Sequence, residues 1–85
     1  MPTIKLFANL RKIAEAKELS VPGTNLRGVL NQLVKDVPTL GGVILEEGQI
    51  RPHIIITING HNTAELDMAV TEQDIIAIFP PIAGG

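Results

Sequence analysis

The chain closes on Phe79-Pro80-Pro81-Ile82-Ala83-Gly84-Gly85, and the group there that can do chemistry is the carboxylate of Gly85. Gly84 and Gly85 carry no Cβ, so this end can thread a channel too narrow for any side chain. Pro80 and Pro81 lack N–H groups and favour polyproline geometry, so the segment must leave a sheet rather than extend it. Fully extended, Pro80 to Gly85 reach roughly 20 Å at ~3.3 Å per residue. A terminal carboxylate, with a pKa near ~3.5, is ionised at neutral pH and is a poor electrophile. To accept a transferred group it must first become an activated acyl species, most simply an acyl-adenylate made from ATP. A sulfur donor or an amine can then displace AMP. On this reading the chain supplies a reactive end and a docking surface, and a partner supplies the catalytic groups. The plain alternative is a floppy terminus. Two closing glycines arise by chance in roughly one chain in two hundred at ~7% glycine usage, and their place directly behind a strand ending Phe-Pro-Pro favours the functional reading.

Other polar residues offer less. His53 and His61 are the only histidines and there is no cysteine, so a metal site is not expected. Glu46-Glu47 and Glu65 with Asp67 read as solvated turn charges, because no nucleophile or convergent polar set accompanies them. Arg27 and Arg51 read as salt-bridge or rim residues. No bound cofactor is expected; ATP would be used by the activating partner.

The elements that must hold this end out follow from patterning. Thr3 to Ala8 reads as a strand, with Ile4 and Leu6 on one face and Lys5 and Phe7 on the other. Asn9 to Ala16 is a polar connection with helical character. Lys17 to Val21 is a second strand, stopped by Pro22-Gly23, where glycine can accept positive φ. Leu26, Val29, Leu30, Leu33, Val34 and Val37 form one apolar helical stripe, with Asn25 as N-cap and Pro38 as stop. Gly28 weakens that helix by ~1 kcal/mol against alanine. Leu40 to Glu47 is expected to be a short second helix closed by Gly48. His53 to Ile58 is a β-branched strand, Asn59-Gly60 a tight turn, and His61 to Thr63 a short returning strand. Thr71-Glu72-Gln73-Asp74 reads as a capped turn before the last strand, Ile75 to Phe79. That strand is apolar on both faces, which suits a central place beside the first strand. The class is α+β: a mixed sheet wrapped on one main helix. Residues 1–79 would form the domain and 80–85 a flexible tail.

Composition limits the partners. The chain has 85 residues, 45% of them hydrophobic and nearly all of those aliphatic, so one domain held by aliphatic packing is expected. A net charge of -2 with no basic block argues against nucleic acid. No basic-then-apolar leader and no apolar run near ~20 residues is present, so a cytoplasmic chain with no membrane span is expected. Alternation places Phe7 and Phe79 on the face away from the helix, where exposed aromatics would make a partner site rather than core.

The closing segment resembles the ending of the small subunit of molybdopterin synthase. Ile4-Lys5-Leu6-Phe7-Ala8-Asn9-Leu10-Arg11, Leu45-Glu46-Glu47-Gly48 and Asn59-Gly60 are similar to that family too. So is Thr71-Glu72-Gln73-Asp74, although the family often has Asp-Gly-Asp there. The resemblance spans essentially the whole chain. It implies a ubiquitin-like β-grasp fold and an adenylating partner related to ubiquitin-activating enzymes. It further implies a sulfur-donor protein and a thiocarboxylate on Gly85. The large synthase subunit, in an assembly of two copies of each, would receive the tail and pass sulfur to a pterin precursor. Gly84 would permit entry, Pro80, Pro81, Ile82 and Ala83 would bind the partner, Phe7 and Phe79 would dock, and Arg11 would contact the activating enzyme. The alternatives are sulfur carriage for thiamine thiazole or tRNA thiolation, a protein modifier joined through Gly85 to lysines, and a plain interaction module.

Overall fold

The computed structural model describes residues 1–63 and 65–80. In chain order its elements are β1 (Thr3–Leu6), α1 (Asn9–Ala14), β2 (Glu18–Ser20), α2 (Leu26–Asp36), a 3-10 turn (Pro38–Leu40), α3 (Gly41–Ile44), β3 (Leu45–Glu46), β4 (Gln49–Ile50), β5 (Ile55–Ile58), β6 (His61–Thr63) and β7 (Ile75–Phe79). The main sheet runs β2-β1-β7-β5-β6, and β3 with β4 forms a separate two-stranded ribbon.

β7 is central, as its two apolar faces require. It lies parallel to β1 with Ile4 beside Ile76 and Leu6 beside Ile78. It lies antiparallel to β5 with Ile56 beside Ile78. This register puts Ile4, Leu6, Ile56, Ile76 and Ile78 in one buried cluster with Leu26, Val29, Leu30 and Leu33 of α2. Each such side chain contributes ~1.5–3 kcal/mol on leaving water. That set of aliphatics stands in for the disulfides and metals that other small domains use.

α2 starts as its sequence requires: Asn25 is extended and its side-chain oxygen accepts from the Gly28 N–H at 2.8 Å. Gly28 has a reason to be there, because a Cβ on it would lie 3.2 Å from that cap oxygen. Gly23 is set by packing rather than by positive φ, contrary to expectation. A Cβ on it would meet Val29 Cγ2 at 2.5 Å and the Val29 nitrogen at 2.9 Å. The loop after β2 lies flat on α2 and leaves no space for a methyl group.

Several boundaries differ from the sequence reading; the second strand, for one, covers Glu18–Ser20 rather than Lys17 to Val21. The expected helix over Leu40 to Glu47 ends at Ile44, because Glu47 and Gly48 both take positive φ (52° and 79°) and fold Leu45–Glu46 back on Gln49–Ile50. The fifth strand begins at Ile55 rather than His53, which sits in a turn at φ 70°. The first strand ends at Leu6 rather than Ala8, where the backbone turns sharply into α1. The helical character of Asn9 to Ala16 is a true helix over Asn9–Ala14. Its Leu10 is fully buried, and Ile13 and Ala14 pack against the core one turn on.

Candidate functional site

The sheet's second face, away from α2, carries Thr3 and Lys5 from β1, Ile75, Ala77 and Phe79 from β7, and Ile55 and Thr57 from β5, with Phe7 just beyond β1. Ile55 and Ile75 are 44% and 41% exposed, which is high for branched aliphatics in a sheet. Phe7 and Phe79 stack with ring centroids 4.4 Å apart and planes 15° from parallel. Their contact continues the β1–β7 register one step past Lys5 beside Ala77, and on its other side Phe79 pairs with Ile55. Both rings are half-buried and neither belongs to the core cluster. The structure thus brings Phe7 and Phe79 together on a largely apolar face that no other described element covers, and Pro80 follows directly from it.

The turn beside Phe7 is unusual. The Leu10 N–H donates to the Phe7 carbonyl at 3.1 Å, and Ala8 between them has φ 54° and ψ -131°. These values define the first central position of a type II′ turn, which glycine ordinarily fills. An L-residue held there costs on the order of 1–3 kcal/mol. The turn delivers the chain into α1, where Arg11 is exposed and makes no ion pair among the described residues.

Pro81, Ile82, Ala83, Gly84 and Gly85 lie outside the described residues. Arg27 pairs with Asp67 at 3.4 Å, and Arg51 approaches Glu46 at 4.0 Å while donating to the Gly42 carbonyl at 3.1 Å; all four side chains are exposed. His53 and His61 are exposed, and the described residues contain no group of three or more His, Cys, Asp or Glu able to hold a metal. No helix among the described residues is long and apolar enough to cross a membrane.

At the far end of β7, Asn59 ties two turns together. Its carboxamide donates to Asp74 at 2.9 Å and accepts from the Ile75 N–H at 2.9 Å, while its own N–H donates to the Ile75 carbonyl at 2.8 Å. The second Asp74 oxygen accepts from the Thr71 N–H at 2.9 Å. The bond from the Thr71 backbone, then that from Asn59, hold the Asp74 carboxyl below its ordinary value of 3.8.

Sequence reasoning placed Ile75 and Ala77 on the face with Phe79 but missed Ile55. Strand alternation carried that signal, since Ile55 shares a side with Thr57. No comparable signal marks Ala8.

One main helix, α2, packed on a five-stranded mixed sheet whose central strand is the last is the ubiquitin-like β-grasp. Comparison with known proteins is specific. The model of the ThiS family matches residues 4–85. Small archaeal modifier protein 1 of Haloferax volcanii is 32% identical over 85 residues, covering 95% of this chain and 97% of that protein. Small archaeal modifier protein 3 of the same organism is 28% identical over 88 residues, covering 96% of each. The solution structure of small archaeal modifier protein 1 from Methanosarcina acetivorans superposes with a TM-score of 0.89 at 36% identity, covering 99% of this chain and 95% of that one. The chain belongs to the ThiS family of ubiquitin-like sulfur carriers.

Proposed function

We propose that Gly85 is adenylated by a ubiquitin-activating-like enzyme and converted to a thiocarboxylate, and that this sulfur goes to a pterin precursor in molybdopterin synthesis. The observation that carries the reading is the stacked Phe7–Phe79 pair at the end of the central strand. It sets an apolar docking face at the root of the segment whose carboxylate must react. An enzyme acting on Gly85 has to reach across that root, because Pro80 to Gly85 span only roughly 20 Å even when extended.

The chemistry proceeds in two displacements. The Gly85 carboxylate oxygen attacks the α-phosphorus of ATP and pyrophosphate leaves. Hydrosulfide supplied by the sulfur donor then attacks the acyl carbon and AMP leaves, giving the thiocarboxylate. The domain contributes position and docking, and the catalytic groups belong to the adenylating enzyme and to the large synthase subunit that receives the tail. Gly84 permits passage beside the reacting carbon. Pro80, Pro81, Ile82 and Ala83 run through the partner, and Arg11 contacts the activating enzyme.

A second reading is favoured by the relatives' names as modifiers: the same adenylate is attacked by a lysine amine, and the chain is conjugated to target proteins through Gly85. ATP–pyrophosphate exchange by the cognate adenylating enzyme tests the step that both readings share. It requires the intact chain and is abolished by deleting Gly85. The fate of the adenylate separates them, since lysine conjugates resist thiol reductants and a thiocarboxylate carrier forms none.

A further inference from the structure

Asn59-Gly60 is the one place in the chain where glycine follows asparagine; Asn9 and Asn25 precede leucine, Asn31 glutamine and Asn62 threonine. The backbone nitrogen that follows an asparagine can attack its Cγ and close a five-membered imide. Glycine offers that nitrogen with no side chain beside it. Asn59 and Gly60 are both exposed, and they form the two-residue loop between Ile58 and His61 with φ of 51° and 87°. In the fold the attack is held off. The Asn59 carboxamide donates to Asp74 at 2.9 Å and accepts from the Ile75 N–H at 2.9 Å, while the Asn59 N–H donates to the Ile75 carbonyl at 2.8 Å. Ring closure has to turn the Asn59–Gly60 peptide towards Cγ, which opens the loop and frees the carboxamide from these partners.

We infer that Asn59 is a site of spontaneous deamidation, that its latch to Asp74 and Ile75 gates the reaction, and that the product cannot close the latch again. When the turn opens, the Gly60 nitrogen bonds to Cγ and its proton passes through water to the side-chain nitrogen. The Cγ–Nδ2 bond breaks and ammonia leaves. Water then opens the imide at either carbonyl, leaving aspartate or isoaspartate at position 59. The group facing Asp74 is now a carboxylate with no N–H to give, so two like charges meet where a hydrogen bond stood. Isoaspartate also adds a backbone carbon to a loop that the Ile58–His61 pairing sets at two residues. The change falls before the start of β7, at the opposite end from Phe79, and is independent of the chemistry proposed for Gly85. Because only the opened turn reacts, the extent of conversion records how long the turn has stood open.

The test holds the full chain at neutral pH, folded and in denaturing urea, and follows exchange of side-chain NH2 for OH by mass-spectrometric peptide mapping. In urea Asn59 converts first among the five asparagines. In the folded chain it converts at least about tenfold more slowly, the ratio equivalent to the ~1.5 kcal/mol of one hydrogen bond to a charged group. Asp74→Ala removes one side of the latch and raises the folded rate several-fold, with the circular dichroism of the folded domain retained. Asn59→Asp, which installs the product, lowers the thermal midpoint at neutral pH. Equal rates in the folded and urea-unfolded wild type, or a wild-type rate in folded Asp74→Ala, overturns the gate. No conversion of Asn59 in urea overturns the site itself, and a wild-type midpoint for Asn59→Asp overturns the exclusion of the product from the latch.

Discussion

Phe79 ends the central strand β7, Phe7 follows directly on its parallel neighbour β1, and the two stack at 4.4 Å, so the chain's only aromatic pair marks where its closing segment begins. An offset aromatic pair adds ~0.5–1.5 kcal/mol to a sheet. A pair built only for stability would sit under α2 with the isoleucines. This one sits on the other face.

Phe79→Asp should therefore leave the fold standing while removing partner binding. The expected loss of stability is about the worth of the stacked pair, ~1 kcal/mol, far below the ~3–5 kcal/mol of a phenylalanine removed from a core. Thermal unfolding followed by circular dichroism, beside titration against the adenylating enzyme, checks both halves. Global unfolding of Phe79→Asp would place the ring in the core and remove the docking face.

Gly23→Ala probes a close approach rather than a turn. The new Cβ would fall 2.5 Å from Val29 Cγ2 and 2.9 Å from the Val29 backbone nitrogen, and the backbone atom cannot swing aside. Overpacking of this kind costs ~1–3 kcal/mol, which denaturant unfolding would resolve. Gly42→Ala is the control, as a Cβ there meets nothing within 4 Å.

Asp74 makes stability depend on acid. Its folded carboxyl titrates below the ordinary value of 3.8, owing first to the Thr71 N–H and then to Asn59. The folded state therefore binds its proton less tightly than the unfolded state does. The stabilisation is fully present above the ordinary value and is lost as pH falls through the lowered folded one. Asp74→Asn should flatten that acid limb of a stability–pH curve. An unchanged limb would show that the carboxylate bonds contribute nothing in solution.

Much of this was legible in the chain because β-branched runs, the stripe from Leu26 to Val37 and the Asn59-Gly60 turn each carry a local physical signal. The central place of β7 followed from apolar residues on both its faces. What was not legible came from tertiary demands. Leu45–Glu46 are ordinary helix formers, yet the positive φ at Glu47 and Gly48 folds them into a ribbon. Gly23 answers to Val29, which approaches it only in the folded state. Ala8 has no residue-type signature at all, since alanine is a poor choice for the conformation it holds. The apolar face was half readable: Phe7 and Phe79 stood out as the only aromatics, whereas Ile55 joins them only through its register with Phe79.

The most direct test is the intact mass of the chain after incubation with its adenylating enzyme, ATP and a sulfur donor. The account predicts replacement of one oxygen by sulfur, located by fragmentation to Gly85, and loss of that change when Gly85 is deleted. An unmodified chain under conditions where the enzyme is active, or sulfur found anywhere but at Gly85, would contradict it.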